Sequence, residues 1–166
     1  MIVVGVDPGA GTTGYGVVAQ RGGAVSLLEC GVIRTDTHQS LAERLRDIYE
    51  GLSEVLERHH ADAVAVEQVF HGKNARSSLV LGHARGAVLL AASLRDVRVA
   101  EYTPAEIKVA VTGSGRATKD QVQFMVQRLL HLRTPPTPAD AADGVAVAIC
   151  HCNASALAAR LSERLA

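Results

Sequence analysis

Tryptophan is absent from this sequence, and aromatic residues of every kind make up only 3% of it. A core without large rings must be built from Ala, Val, Leu and Ile, so an aromatic placed in a polar stretch stands out. No uninterrupted apolar run reaches the roughly 18 residues that a bilayer-spanning helix needs, and no membrane partner is expected. The opening MIVVGVDPG carries no basic stretch ahead of its apolar residues, as a secretory signal would. Cysteine is sparse: Cys30, Cys150 and Cys152 make an odd number and no disulfide framework. A reduced, cytoplasmic protein is the expectation. Net charge is lacking too, since 17 basic residues balance 17 acidic ones.

That balance conceals a segregation. Residues 1–70 carry 5 basic and 10 acidic side chains, whereas residues 71–133 carry 10 basic and 4 acidic. Either the charges are solvated faces that happen to separate, or a basic surface for phosphates lies beside an acidic pocket. The length of 166 residues suits a single domain spanning 1–166 with a real core.

Hydrophobic periodicity supplies the elements. Ile2 to Asp7 is a short β-branched run ended by Pro8-Gly9, and Gly14 to Ala19 and Val25 to Arg34 read as two further strands. The turn-like Arg21-Gly22-Gly23 joins the latter two, which predicts an antiparallel meander. Leu41, Leu45, Ile48, Leu52, Val55 and Leu56 recur at helical spacing between Ser40 and His60. Asp62 to Glu67 is again strand-like and, reached through a helix, should pair in parallel. Ala75 to Leu94 reads as a helix and Val97 to Tyr102 as a fifth strand. Thr103-Pro104 and Thr118 look like helix starts, and the stiff TPPTP at 134–138 leads to a last long helix. The pattern βββαβαβααα predicts an α/β domain with a five-stranded mixed sheet flanked by helices, the first three strands antiparallel and the last two parallel.

Two carboxylates end apolar strands, Asp7 and Glu67, where open α/β sheets place their ligands. Each can also be read more plainly; Asp7, in Asp-Pro-Gly, suits a hydrogen-bonded turn. Asp140 and Asp143 lie three apart at the start of an otherwise apolar helix, hence on one face. The helix dipole alone favours acids there. Together the four make a set of hard oxygen donors suited to Mg²⁺ and poorly suited to zinc. Two such ions about 4 Å apart would activate a water and stabilise the leaving oxygen at phosphorus. Asp7, on the most central strand, is the best candidate to bridge both.

The motifs VDPG at 6–9, TGYG at 13–16, EQVFHGKNA at 67–75, LGHARG at 81–86, KDQVQ at 119–123 and ADAAD at 139–143 run in one order. In that combination the sequence resembles the RuvC family of Holliday-junction resolvases over residues 1 to about 153. The resemblance implies an RNase H-like fold and a homodimer that nicks four-way junction DNA symmetrically in recombination and repair. It implies Mg²⁺, with Mn²⁺ able to substitute, held by Asp7, Glu67, Asp140 and Asp143. It also implies the RuvA–RuvB branch-migration complex as a partner. Ala10 departs from the Ser common in that family.

On the same resemblance Phe70 stacks on an unpaired base near the junction centre, and Lys108 and Lys119 lie near the scissile phosphate. From the residues alone Phe70 can equally be a loop anchor, and Lys119 a surface lysine in a first helical turn. Lys73, Arg76 and Arg116 complete the candidate DNA-binding set. Gly82 and Gly86, four apart on one helix, fit core packing or a two-fold contact. The Cys150-His151-Cys152 run is not expected to hold zinc, because helical residues two apart diverge. The loop DPGAGTTG is also similar to the phosphate loop of actin-like ATPases, but those need a second domain for which this chain has no room. The residues also admit a related nuclease that cuts RNA, or a module that binds junctions without cutting them.

Overall fold

The computed structural model describes residues 1–68 and 75–165. Five strands, β1 (Ile2–Asp7), β2 (Thr12–Arg21), β3 (Ala24–Arg34), β4 (Ala63–Glu67) and β5 (Arg98–Tyr102), form one sheet in the order β3-β2-β1-β4-β5. The helices are α1 (Leu41–His59), α2 (Ala75–Ser93), α3 (Pro104–Thr112), α4 (Lys119–Leu129) and α5 (Ala139–Leu165). β1 pairs antiparallel with β2 and parallel with β4. β2 is antiparallel to β3, and β4 parallel to β5. The expected mixed sheet is therefore present, with β2 running two residues further at each end than its apolar run.

Local chemistry explains these boundaries. Gly22 and Gly23, at φ of 54° and 86°, supply the left-handed backbone that a tight hairpin between β2 and β3 needs. Three helices open with reciprocal capping boxes: Ser40 with Glu43, Thr103 with Glu106, and Thr118 with Gln121. Alternation along the strands splits the core into two layers. Val4, Val6, Val17, Val64 and Val66 pack with α1 and α2, whereas Val3, Val18 and Ala65 face the layer containing α3, α4 and α5.

α5 is long and apolar enough, by length and composition, to cross a membrane. The count of unbroken apolar residues misses this, because the acidic pair at its start and then His151, Asn153 and Ser155 interrupt the run. Its apolar character has a plain source in the fold: Ala141, Ala142 and every residue from Gly144 to Cys150 are buried.

This helix lies unusually close to the sheet, backbone on backbone. A Cβ added at Gly5 would overlap the Gly144 carbonyl, one at Gly14 the Asp140 carbonyl, and one at Gly16 the Val145 side chain. From the helix side, a Cβ on Gly144 would stand 2.5 Å from the Tyr15 Cα. Absence of side chains at these positions is what lets α5 rest across β1 and β2. Ala is a better helix former than Gly by about 1 kcal/mol, so propensity alone favours Gly144→Ala. The packing reverses that sign: the variant is expected to lose about 1–3 kcal/mol in urea unfolding. A gain in stability would show that the close approach is not required.

Candidate active site

The parallel pairing of β1 with β4 puts Val6 opposite Val66, so Asp7 and Glu67 leave the sheet side by side one residue later. Asp7 shares its face with Val3 and Gly5, the face covered by α5. The first turn of α5 then brings Asp140 and Asp143 over the same sheet end, Asp140 lying on Gly14, the residue paired with Asp7. Asp7, Glu67 and Asp143 line one cavity of about 280 Å³. Asp140 sits at its rim, with its side chain 45% exposed against 17% for Asp143.

Two lysines complete the cavity wall, Lys108 from α3 and Lys119 from α4. Thr118 caps α4 and so aims its first residue into the acids. The Lys119 Nζ stands 2.6 Å from Asp143 Oδ2 and 3.8 Å from Asp140 Oδ1. Lys119 is thus a partner of the carboxylates, not a freely solvated lysine.

The electrostatics are unfavourable without more positive charge. Burial, with repulsion from Asp143 and Asp140, pushes Asp7 up from 3.8 to about 6 despite Lys119. Burial, with repulsion from Asp7 and Asp143, pushes Glu67 up from 4.5 to about 7 despite Lys108 and Lys119. Among the described residues no three Asp, Glu, His or Cys side chains are already gathered tightly enough to enclose an ion. The donor set nevertheless fits a hard divalent cation: every donor is a carboxylate oxygen, and two of the four resist ionisation for want of compensating charge.

The loop after Asp7 is braced by residues that sequence reasoning overlooked. The fully buried Thr13 hydroxyl donates to the Gly9 carbonyl at 2.8 Å and accepts from the Gly9 amide at 3.3 Å. The Ala10 carbonyl accepts from Thr35 Oγ1 at 2.6 Å and from the Arg44 guanidinium at 2.5 Å. Thr13 belongs to the TGYG motif and had that much of a signal; Arg44 and Thr35 had none, because only the fold brings them to the loop.

A family model described as crossover junction endodeoxyribonuclease RuvC matches residues 3–151. The chain belongs to the RuvC family. The RuvC of Desulforamulus reducens is 48% identical over 151 residues, covering 91% of this chain and 93% of that one. That of Pelotomaculum thermopropionicum is 49% identical, covering 91% and 92%. Among solved structures, RuvC of Thermus thermophilus in complex with Holliday junction substrate superposes with a TM-score of 0.90 at 37% identity, covering 95% and 96% of the two chains. The yeast mitochondrial Holliday junction resolvase Ydc2 superposes at 0.67 with 15% identity, a likeness of fold alone. The fold is accordingly RNase H-like, and this RuvC-family chain is an endodeoxyribonuclease by kinship.

The remaining candidates distribute unevenly. Arg116 lies away from the carboxylates, in the loop between α3 and α4 beside a second cavity. Arg76 is exposed in the first turn of α2. Phe70 and Lys73 lie outside the described residues. The reading of Gly82 and Gly86 as core packing is corrected: both are exposed, and a Cβ at either would meet open space. At the C-terminal end of α1, His59 Nε2 stands 2.6 Å from Glu29 Oε2. His151 Nδ1 is engaged at 2.8 Å with the Tyr102 hydroxyl, and burial pushes the thiols of Cys150 and Cys152 up to about 12 and about 11.

A raised carboxylate pKa means the folded state holds the proton more tightly than the unfolded state. Stability from this source is present at acid pH and is lost as pH rises from about 4 through about 6 for Asp7. In chelator at pH 7, Asp7→Asn should therefore raise the melting temperature by roughly 3–6 °C, the shift of one to two kcal/mol in a chain this size. Near pH 4 the difference should vanish. A variant that melts at or below the parent temperature at pH 7 would mean Asp7 is not electrostatically strained.

Proposed function

We propose that this chain resolves four-way DNA junctions by symmetric paired nicks, using two Mg²⁺ ions held by Asp7, Glu67, Asp140 and Asp143. The observation that carries the reading is the convergence of Asp7, Glu67 and Asp143 with two lysines in one cavity at the end of the central strands. Bound there, the ions would lower the pKa of the attacking water and stabilise the leaving oxygen. The Thermus relative in complex with a Holliday junction supports the choice of substrate.

The chain's own groups divide the work. Asp7, on the strand between β2 and β4, would be the carboxylate best placed to serve both ions. Glu67 would hold one side, and Asp143 with the more exposed Asp140 the other. Lys119, tethered to Asp143, and Lys108 on the opposite wall present ammonium groups to the phosphate as its negative charge builds. Arg76 and Arg116 extend the DNA contact beyond the cavity; Lys73 adds a cation and Phe70 a stacking platform for an unpaired base.

Two cuts in a symmetric junction call for two sites. The exposed face of α2, with Gly82 and Gly86 open and Leu79 and Leu90 64% and 52% exposed, supports a homodimer built on that helix. The whole of 1–166 is one nuclease domain, acting in the cytoplasm beside the RuvA–RuvB branch-migration complex, with Mn²⁺ able to replace Mg²⁺.

A cleavage assay comparing a four-way junction, a linear duplex and an RNA–DNA hybrid tests this directly. Paired nicks in the junction, dependent on Mg²⁺ and lost in Asp7→Asn with junction binding kept, are the expected result. Preference for the hybrid, or cutting by Asp7→Asn, would overturn it. Protons compete with the ions for Asp7 and Glu67, held near about 6 and about 7. At limiting Mg²⁺ the rate should then climb about tenfold or more per pH unit below neutrality, and less steeply at saturating Mg²⁺. A profile unaffected by Mg²⁺ concentration would speak against these carboxylates as ligands.

A further inference from the structure

Phe124 is the one exposed aromatic side chain among the described residues, with 59% of its surface open to solvent. It projects from α4, whose buried stripe is Val122 and Val126. No packing requirement of this helix explains a phenyl ring there, in a chain with only two phenylalanines and no tryptophan. The ring borders a cavity of about 630 Å³ between α4 and the α3–α4 loop, together with Met125, Thr112, Arg116 and Asp120.

The two cavities share their walls. α3 lines the carboxylate cavity through Lys108 and the second through Thr112; α4 lines them through Lys119 and Phe124. Phe124 follows Lys119 by five residues, about 7.5 Å along the helix axis and about 140° around it, so the two side chains serve different faces of α4, one toward each cavity. The first turns of α4 thus form the ridge between the two cavities, which a strand held at Lys119 crosses to bring a base onto Phe124.

The second cavity is chemically unlike a phosphate site. Its apolar floor of Phe124 and Met125 suits the face of a base, and a ring at this exposure costs little to rotate onto one. The Arg116 and Asp120 side chains make no ion pair or hydrogen bond among the described residues. By contrast, the Thr112 hydroxyl is already committed to the Lys108 and Ser114 carbonyls. Asp120 repels phosphate but accepts a hydrogen bond from an exocyclic amine, as acidic side chains do from cytosine. Arg116, at the rim, is the cation for the attached backbone.

We infer that Phe124, with Arg116 and Asp120, forms a second nucleotide subsite that takes a base unstacked from the cleaved strand near the scissile phosphate. This rests on the endonuclease reading. It makes Phe124 a positioning residue, holding the strand in register at the carboxylates without touching the reacting atoms.

The test uses the full chain carrying Asp7→Asn, to allow binding without cutting. The probe is a four-way junction with 2-aminopurine placed in turn at each of the three nucleotides flanking the scissile phosphate. Binding should raise the fluorescence at one position, and Phe124→Ala and Phe124→Leu should each abolish that rise and weaken junction affinity about tenfold. Phe124→Tyr should retain both. Because the ring is exposed, all three should melt within a few degrees of the parent. Parent-like affinity and fluorescence in Phe124→Ala would overturn the subsite. So would rescue by Leu, which would reduce the ring to a generic apolar contact. Cleavage by the unmodified chain is measured alongside: cutting without any Phe124 effect removes the subsite alone, whereas absence of cutting removes the endonuclease reading and the subsite with it.

Discussion

Helix α5 can reach the end of the central strands only because Gly5, Gly14, Gly16 and Gly144 leave no side chains between it and the sheet. Everything at the site descends from that contact. A layer of ordinary side chains would hold helix and sheet about 10 Å apart. It would also lift Asp140 and Asp143 away from Asp7 and Glu67. Small residues along α5, such as Ala141, Ala142 and Ala148, extend the same close seating. The acids are thus placed by van der Waals exclusion and not by attraction to one another, which their charges forbid.

That placement stores electrostatic strain. Four carboxylates share one end of the sheet, with Lys119 the one cation paired to them among the described residues, and the two that end strands answer by holding protons near neutrality. Capping boxes, a buried Val-rich core and the Glu29 cluster stabilise the remainder of the fold against this cost. Glu29 illustrates the opposite outcome for an acid: burial pushes it up, but hydrogen bonds from Arg58, His59 and Tyr15 outweigh this and hold it at about 2. The difference between Glu29 and Asp7 is the supply of local donors. Among the described residues Asp7 has no such donors, and its proton stays bound to higher pH.

Much of this was legible in the residues. Period-two patterns located the five strands, and period 3.6 located α1, to within about two residues, because amphipathic faces must alternate in register with the backbone. The capping threonines at 103 and 118 read correctly, since a cap is a local arrangement. Gly82 and Gly86 did not: their spacing fits packing of any kind, and only the neighbours show that no described residue covers them. Lys119 was equally ambiguous as a lone charge in a first turn.

By itself the sequence determined the class of elements, their order and the acidic residues at strand ends and at a helix start, because those depend on neighbours close along the chain. Its motifs, taken in order, were enough to indicate the family. Tertiary structure alone decided which acids are buried and which is at the rim, that Lys119 pairs with Asp143, and that Arg44 and Thr35 brace the first loop. It also separated Arg116 from the carboxylates and set it beside Phe124. Such facts depend on distances between residues remote in sequence, and those distances follow from where glycine lets a helix meet a sheet.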